Sequence, residues 1–159
     1  MRPHLPLPHP FAGVRDPDHS DCVKLIRVPS PVAIREHSIP ADLARLKEAR
    51  DFAERVALQL GLSADACYQV KLAVSEAVTN AIQHGSSSAN APVRISIREE
   101  PGAIVFEVLD TGRFVPRVTR RGDMPESGRG LEFMRLMMDQ VDLHPGSDGT
   151  RLRLVKRLQ

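Results

Sequence analysis

The sequence predicts an α+β domain, a two-layer α/β sandwich with helices on one face of a mixed, mainly antiparallel sheet. Three observations point there. Two helix-period patterns stand together at 43–60 and 69–85. Hairpin punctuation then joins strand-like runs at 93–97 and 103–109, and again joins 141–144 to 151–158. A third helical pattern, from about Arg129 to Gln140, lies between those hairpins. The domain is expected over residues 31–159. Residues 1–30 hold six of the thirteen prolines and three of the six histidines and read as a flexible extension. His4, His9 and His19 share no element that would make them metal ligands.

Each element has its own signal. A weak strand is expected at Cys22–Val28, and another at Val32–His37 from its apolar alternation. Leu43, Leu46, Ala49, Ala53, Val56, Ala57 and Leu60 trace a helix closed by Gly61 at C′, and Ser63 caps the next one. Gln69 to Gly85 reads as one amphipathic helix whose apolar stripe is Val70, Val74, Ala77, Val78 and Ala81. Cys67 falls in its first turns and reads as a small buried hydrophobe, reduced like Cys22. The first hairpin turns at Glu99-Glu100-Pro101-Gly102. A long lid follows it, and then a helix with Leu131, Met134, Met138 and Val141 on its apolar side. The last hairpin turns at Pro145 to Gly149. No internal repeat is visible.

Composition excludes several classes. With 159 residues and 42% hydrophobic content, the chain suits one domain with a real core. No apolar run approaches the roughly 18 residues needed to span a bilayer, and MRPHLPLPHP lacks the apolar stretch of a signal peptide. A cytoplasmic protein with no membrane partner is expected. Net charge is only +2, with 22 basic residues interleaved among 20 acidic ones, and aromatics are 4% of the chain. That balance argues against direct nucleic-acid binding. One basic cluster stands out, Arg113, Arg117, Arg120, Arg121 and Arg129. It reads as a solvated loop or as a lid that neutralises phosphate or meets an acidic partner.

Four short motifs carry chemistry. On the 69–85 helix, Glu76, Asn80 and His84 stand at i, i+4 and i+8, which places them along nearly one face beside the core stripe. A carboxylate there can accept a proton, and an amide oxygen one turn away can ligate Mg²⁺. VFEVLDTG then delivers Asp110 from a strand end, with Gly112 two residues on. An ionised Asp only accepts hydrogen bonds, so it suits an amino group such as that of adenine, and a residue without Cβ lets a flat ring approach the backbone. SGRGL at Ser127–Leu131 opens a helix, where free amides and the helix dipole favour phosphate. It is no dinucleotide fingerprint, because Phe133 stands where a third glycine would be. Gly149-Thr150 precedes the last strand. Singly, a polar helix face explains Glu76 and Asn80 better and a common turn explains Asp110 to Gly112 better, while a loop explains SGRGL equally well.

In this order, EAVTNAIQHG (76–85), DTG (110–112), SGRGLEFMRLMMDQV (127–141) and DGTRLRLVKRL (148–158) resemble the GHKL ATP-binding superfamily. Within it the chain resembles the anti-sigma-factor serine/threonine kinases of bacterial partner switching. The resemblance runs from about Val32 to the C-terminus. It departs at RFVPRVTRRGDMPE, which lacks a second glycine that many relatives carry, and residues 1–30 have no counterpart.

The resemblance implies the GHKL (Bergerat) fold, ATP and Mg²⁺ as cofactors, and a kinase that phosphorylates a STAS-type anti-anti-sigma protein and sequesters a sigma factor as a homodimer. It implies Glu76 as general base and Asn80 as the Mg²⁺ ligand. Asp110 would be the adenine acceptor with Gly112 as its backbone neighbour. Gly128, Arg129, Gly130 and Leu131 would form the phosphate loop, Thr150 would sit near adenine, and His84 would hold the helix end or touch phosphate. Two alternatives stay open. One is a nucleotide-binding module that binds a sigma factor or other partner without phosphotransfer. The other is a sensor histidine kinase fragment, although no helical hairpin with a phosphoacceptor histidine precedes the pocket.

Overall fold

The structure is a computed structural model describing residues 33–86, 88–112 and 126–158. Five strands form one sheet: β1 (Arg35–Pro40), β2 (Pro92–Glu100), β3 (Ala103–Leu109), β4 (Gln140–Gly146) and β5 (Gly149–Arg157), in the order β1-β2-β3-β5-β4. Three helices, α1 (Leu46–Gln59), α2 (Ala64–Asn80) and α3 (Glu126–Met137), cover one face. The layered α+β architecture expected from sequence is therefore present. One part of the expectation changes: all four described pairings are antiparallel, so the sheet is not mixed. The connections explain why. α1 and α2 together bring the chain back to the end where β1 finished, so β2 descends antiparallel to β1. The crossover through α3 leaves β4 running in the direction of β3, but β5 inserts between them and pairs antiparallel with both.

Strand alternation decides what is buried. Val93, Ile95 and Ile97 of β2, Ile104 and Phe106 of β3, and Leu154 of β5 point under the helices and are fully buried. Val70, Val74 and Val78 of α2 meet them, which is the stripe read from the 3.6-residue period. Each such side chain contributes roughly 1.5–3 kcal/mol by leaving water. On the opposite face Arg98 pairs with Glu107 at 2.9 Å and Glu100 at 3.0 Å, while Arg153 reaches Glu100 at 3.2 Å and Asp142 at 3.4 Å.

Several boundaries move. β1 lies at Arg35–Pro40 rather than Val32–His37, because pairing Ile39 with Val93 buries Ile39 while Ile34 is left exposed. Leu43 belongs to an exposed 3₁₀ turn (Leu43–Arg45) capped by Asp42, whose Oδ1 accepts from the Ala44 amide at 2.9 Å, and only then does α1 begin. Gly61 has φ +89°, as its C′ role requires, and Ser63 Oγ caps α2 by accepting from the Ala66 amide at 3.3 Å. Cys67 is buried, with its thiol pushed up by burial. β4 and β5 extend into the expected turn, leaving Ser147-Asp148 as its tip; Pro145 is tolerated because β4 is an edge strand. At the far end of α3, Lys156 Nζ donates to the Met137 carbonyl at 2.9 Å and to Gln69 Oε1 at 2.6 Å, tying α3, α2 and β5 together. The extension over 1–30, the strand at 22–28, and Arg113, Arg117, Arg120 and Arg121 of the lid lie outside the described residues.

Candidate functional site

The end of α2, the end of β3, the start of β5 and the start of α3 meet at one end of the sheet. α2 supplies Glu76 and Asn80, both half-buried, with Asn80 Nδ2 donating to Glu76 Oε1 at 3.3 Å. That bond leaves Oε2 of Glu76 and the carboxamide oxygen of Asn80 for other partners. α3 brings Gly130 against the pair: a Cβ there would lie 3.1 Å from Asn80 Nδ2 and would strike Glu76 Oε1. A residue without a side chain is what lets the two helices come this close.

Asp110 follows β3 directly. Its Oδ1 accepts from the Gly112 amide at 3.0 Å and the Thr150 amide at 3.2 Å, and its own amide donates to the Thr150 carbonyl at 3.0 Å. Burial raises its carboxyl above the ordinary aspartate range, opposed by those two amide bonds. Both bonds arrive at Oδ1, so Oδ2 remains to accept from a ligand. Thr150 is buried and its hydroxyl has no partner. An orphaned buried hydroxyl beside a carboxylate fits a ligand with donor and acceptor edges, as adenine has.

Glycines set the spacing here too. A Cβ on Gly112 would land on the Gly85 carbonyl, one on Gly85 would strike the Asp110 carboxylate, and one on Gly149 would strike the Asp110 carbonyl. Gly149 also has φ +142°, outside the range of ordinary side chains. An open depression of about 350 Å³ is lined by Leu109 to Asp110 and His144 to Arg151. It shares Asp110 and Thr150 with the site but excludes Glu76 and Asn80, so the buried polar groups mark the chemistry better than the hollow does.

Not every predicted residue joins the cluster. The helix does not run straight to Gly85. It ends at Asn80 and continues as a π-turn, Ala81–Gly85, whose wider winding breaks the i, i+4, i+8 face and leaves His84 exposed, apart from Glu76 and Asn80. The described part of α3 begins at Glu126, with Gly128 and Gly130 two residues apart within it, and Gly130 serves by close approach. Arg129 is exposed, and Leu131 packs against the core. Local sequence specifies no role for Gly85 or Gly149. A glycine after a helix or beside a turn carries no local sign that another segment's backbone lies against it.

The model of the histidine kinase-like ATPase domain matches residues 39–156. The chain belongs to that family. Within the histidine kinase-like ATPases, the anti-sigma F factor of Clostridium botulinum (strain Eklund 17B / Type B) is 33% identical over 109 residues, covering 62% of this chain and 76% of that protein. The anti-sigma F factor of Bacillus subtilis (strain 168) is 33% identical over 110 residues, covering 63% and 75%. That of Pasteuria penetrans is 34% identical over 113 residues, covering 64% and 75%. The chain is thus an anti-sigma-factor relative within this ATPase family. A crystal structure of the RsbU and RsbW domains of a Mycobacterium tuberculosis protein shares the fold, with TM-score 0.63 at 18% identity over 81% of this chain and 33% of that one. Membership of the ATPase family implies ATP as the ligand, and the Asp110–Thr150 and Glu76–Asn80 groups have the donor and acceptor chemistry to hold it. No described helix is long and apolar enough to cross a membrane.

Proposed function

We propose that this chain is an ATP- and Mg²⁺-dependent protein serine/threonine kinase that acts as an anti-sigma factor. In this reading it phosphorylates a STAS-type anti-anti-sigma protein and sequesters a sigma factor, as a homodimer in the cytoplasm. The supporting observation is the Glu76–Asn80 pair, bonded at 3.3 Å and closed against Gly130. Asp110 accepts the adenine amine at Oδ2, Gly112 lets the ring approach, and the Thr150 hydroxyl completes that edge. Asn80 offers its amide oxygen to the cation. Gly128, Arg129, Gly130 and Leu131 carry the phosphate end, with Gly128 presenting its backbone and Arg129 its charge. Bound ATP with Mg²⁺ supplies the transferable phosphoryl group and neutralises its charge. Glu76 orients the acceptor hydroxyl and takes its proton at Oε2, while Asn80 holds Oε1 in place. His84, exposed at the helix end, takes no proton in this scheme.

A positioned base typically contributes about 10² to 10⁴ in rate, whereas nucleotide binding does not need its charge. Glu76→Gln is therefore expected to bind Mg·ATP and the sigma factor normally, yet transfer labelled phosphate to the STAS partner at least about a hundredfold more slowly. Affinity capture with and without ATP supplies the partners. Wild type that sequesters sigma factor but transfers no phosphate to any captured protein would replace the kinase with the non-transferring binding module. A Glu76→Gln variant as fast as wild type would remove Glu76 as the base.

A further inference from the structure

We propose that Ser86 is a positioning residue for the adenine nucleotide: its hydroxyl closes the π-turn after α2 and so holds Gly85 against Asp110 and Gly112. This rests on the reading that the site takes an adenine nucleotide. In a π-turn each carbonyl accepts from the residue five places on. Ser86 is five places after Ala81 and ends this turn, its own backbone already extended, with φ −94° and ψ 133°. Its side chain adds a donor at the same place, Oγ donating to the Ala81 carbonyl at 2.9 Å.

The residue just before this clasp is Gly85. Its carbonyl occupies the space a Gly112 side chain would need, and a side chain of its own would strike the Asp110 carboxylate. Upstream, α2 cannot shift in response, because Ala77 and Val78 are buried in the core at 2% and 0% exposure. Loss of the clasp lets the turn relax toward α spacing, and the displacement falls on Gly85 and, through it, on the Asp110–Gly112 loop. Ser86 touches no ligand in this scheme. A π-turn beside a binding site is a common place for such a device.

The test uses the full chain and the variants Ser86→Ala, Ser86→Thr and Ser86→Val. Calorimetry reads adenosine and Mg·ATP affinity, and hydrogen exchange reads the Gly112 and Thr150 amides without nucleotide. Ser86→Ala and Ser86→Val are expected to weaken adenosine and Mg·ATP by the same factor, about threefold to tenfold, the effect of one lost hydrogen bond. They should also speed exchange at both amides, and Ser86→Thr should restore wild-type behaviour in each assay. If Ser86→Ala does not fold, the shape-matched Thr and Val pair decides the matter. A Val variant equal to the Thr variant in adenosine affinity and in exchange overturns the proposal, as does lowered stability with both readouts unmoved. If wild type binds neither adenosine nor ATP, the nucleotide reading fails. The exchange difference at Gly112 and Thr150 still decides whether Ser86 holds the loop.

Discussion

Asp110, Gly112, Gly149 and Thr150 are located by backbone, whereas Glu76 and Asn80 meet Gly130 through side chains. In the first group a carboxylate takes two main-chain amides, and Gly112 and Gly149 bring backbone against backbone. In the second a single 3.3 Å bond orients two side chains against Gly130 of α3. Main chain cannot yield without moving a sheet, while side chains can turn about single bonds. The adenine half is thus the fixed reference of the site, and the phosphate half is the adjustable one.

The comparison breaks most directly with one added methyl in each half. Gly112→Ala drives a Cβ into the Gly85 carbonyl and should cost about 3 kcal/mol of folding stability, the upper range for overpacking, because only backbone can give way. Gly130→Ala presses on the ends of Glu76 and Asn80, which can rotate, and it gains helix propensity within α3. Its stability should stay within about 1 kcal/mol of wild type. Denaturant unfolding of both variants reads the difference, and equal costs would erase the distinction between the halves.

Ligand binding sharpens it next. Asp110→Asn keeps an oxygen for the Gly112 and Thr150 amides and loses only the free acceptor. It should therefore fold normally yet bind adenosine and Mg·ATP more weakly by about 1–3 kcal/mol. Asn80→Ala should leave adenosine unchanged and weaken Mg·ATP alone, by about tenfold. Calorimetry with both ligands separates the two patterns, and equal ATP affinity for Asp110→Asn and wild type would sink the adenine assignment.

The sequence carried the parts of this arrangement that are local. Hydrophobic period located the buried face of α2, Ser63 and Gly61 marked helix ends, and Asp110 stood at the end of an apolar run as the strand requires. Tertiary pairing escaped it. The register Ile39↔Val93 drew β1 three residues along, and packing of α2's end against the Asp110–Gly112 loop accompanied a π-turn that no residue type announces. The insertion of β5 between β3 and β4 is likewise a property of the whole sheet. Residues such as Gly85 became legible only once their neighbours were known.

The smallest expected effect is a pH dependence confined to the adenine half. Burial holds the Asp110 carboxyl above its ordinary range in the folded, nucleotide-free protein. The folded value exceeds the unfolded one, so this group's contribution to stability is full below the unfolded pKa and is lost as pH rises through the folded value. The stability of wild type relative to Asp110→Asn should therefore be greatest in acid and fall across the upper carboxylate range. A pH series of unfolding curves checks it, and a difference that stays flat across that window would count against a desolvated Asp110.

The Lys156 tether gives α3 a fixed root. One end is fixed, since Lys156 grips the Met137 carbonyl and Gln69, and the Asp139 carboxylate takes the Arg157 amide at 2.8 Å just beyond it. Further along the helix, Gly130 is buried against Glu76 and Asn80. Amide exchange should therefore be slow at the Met137 root. A ligand that displaced Gly130 would press on Glu76 and Asn80, while the root held α3 to the body of the sheet.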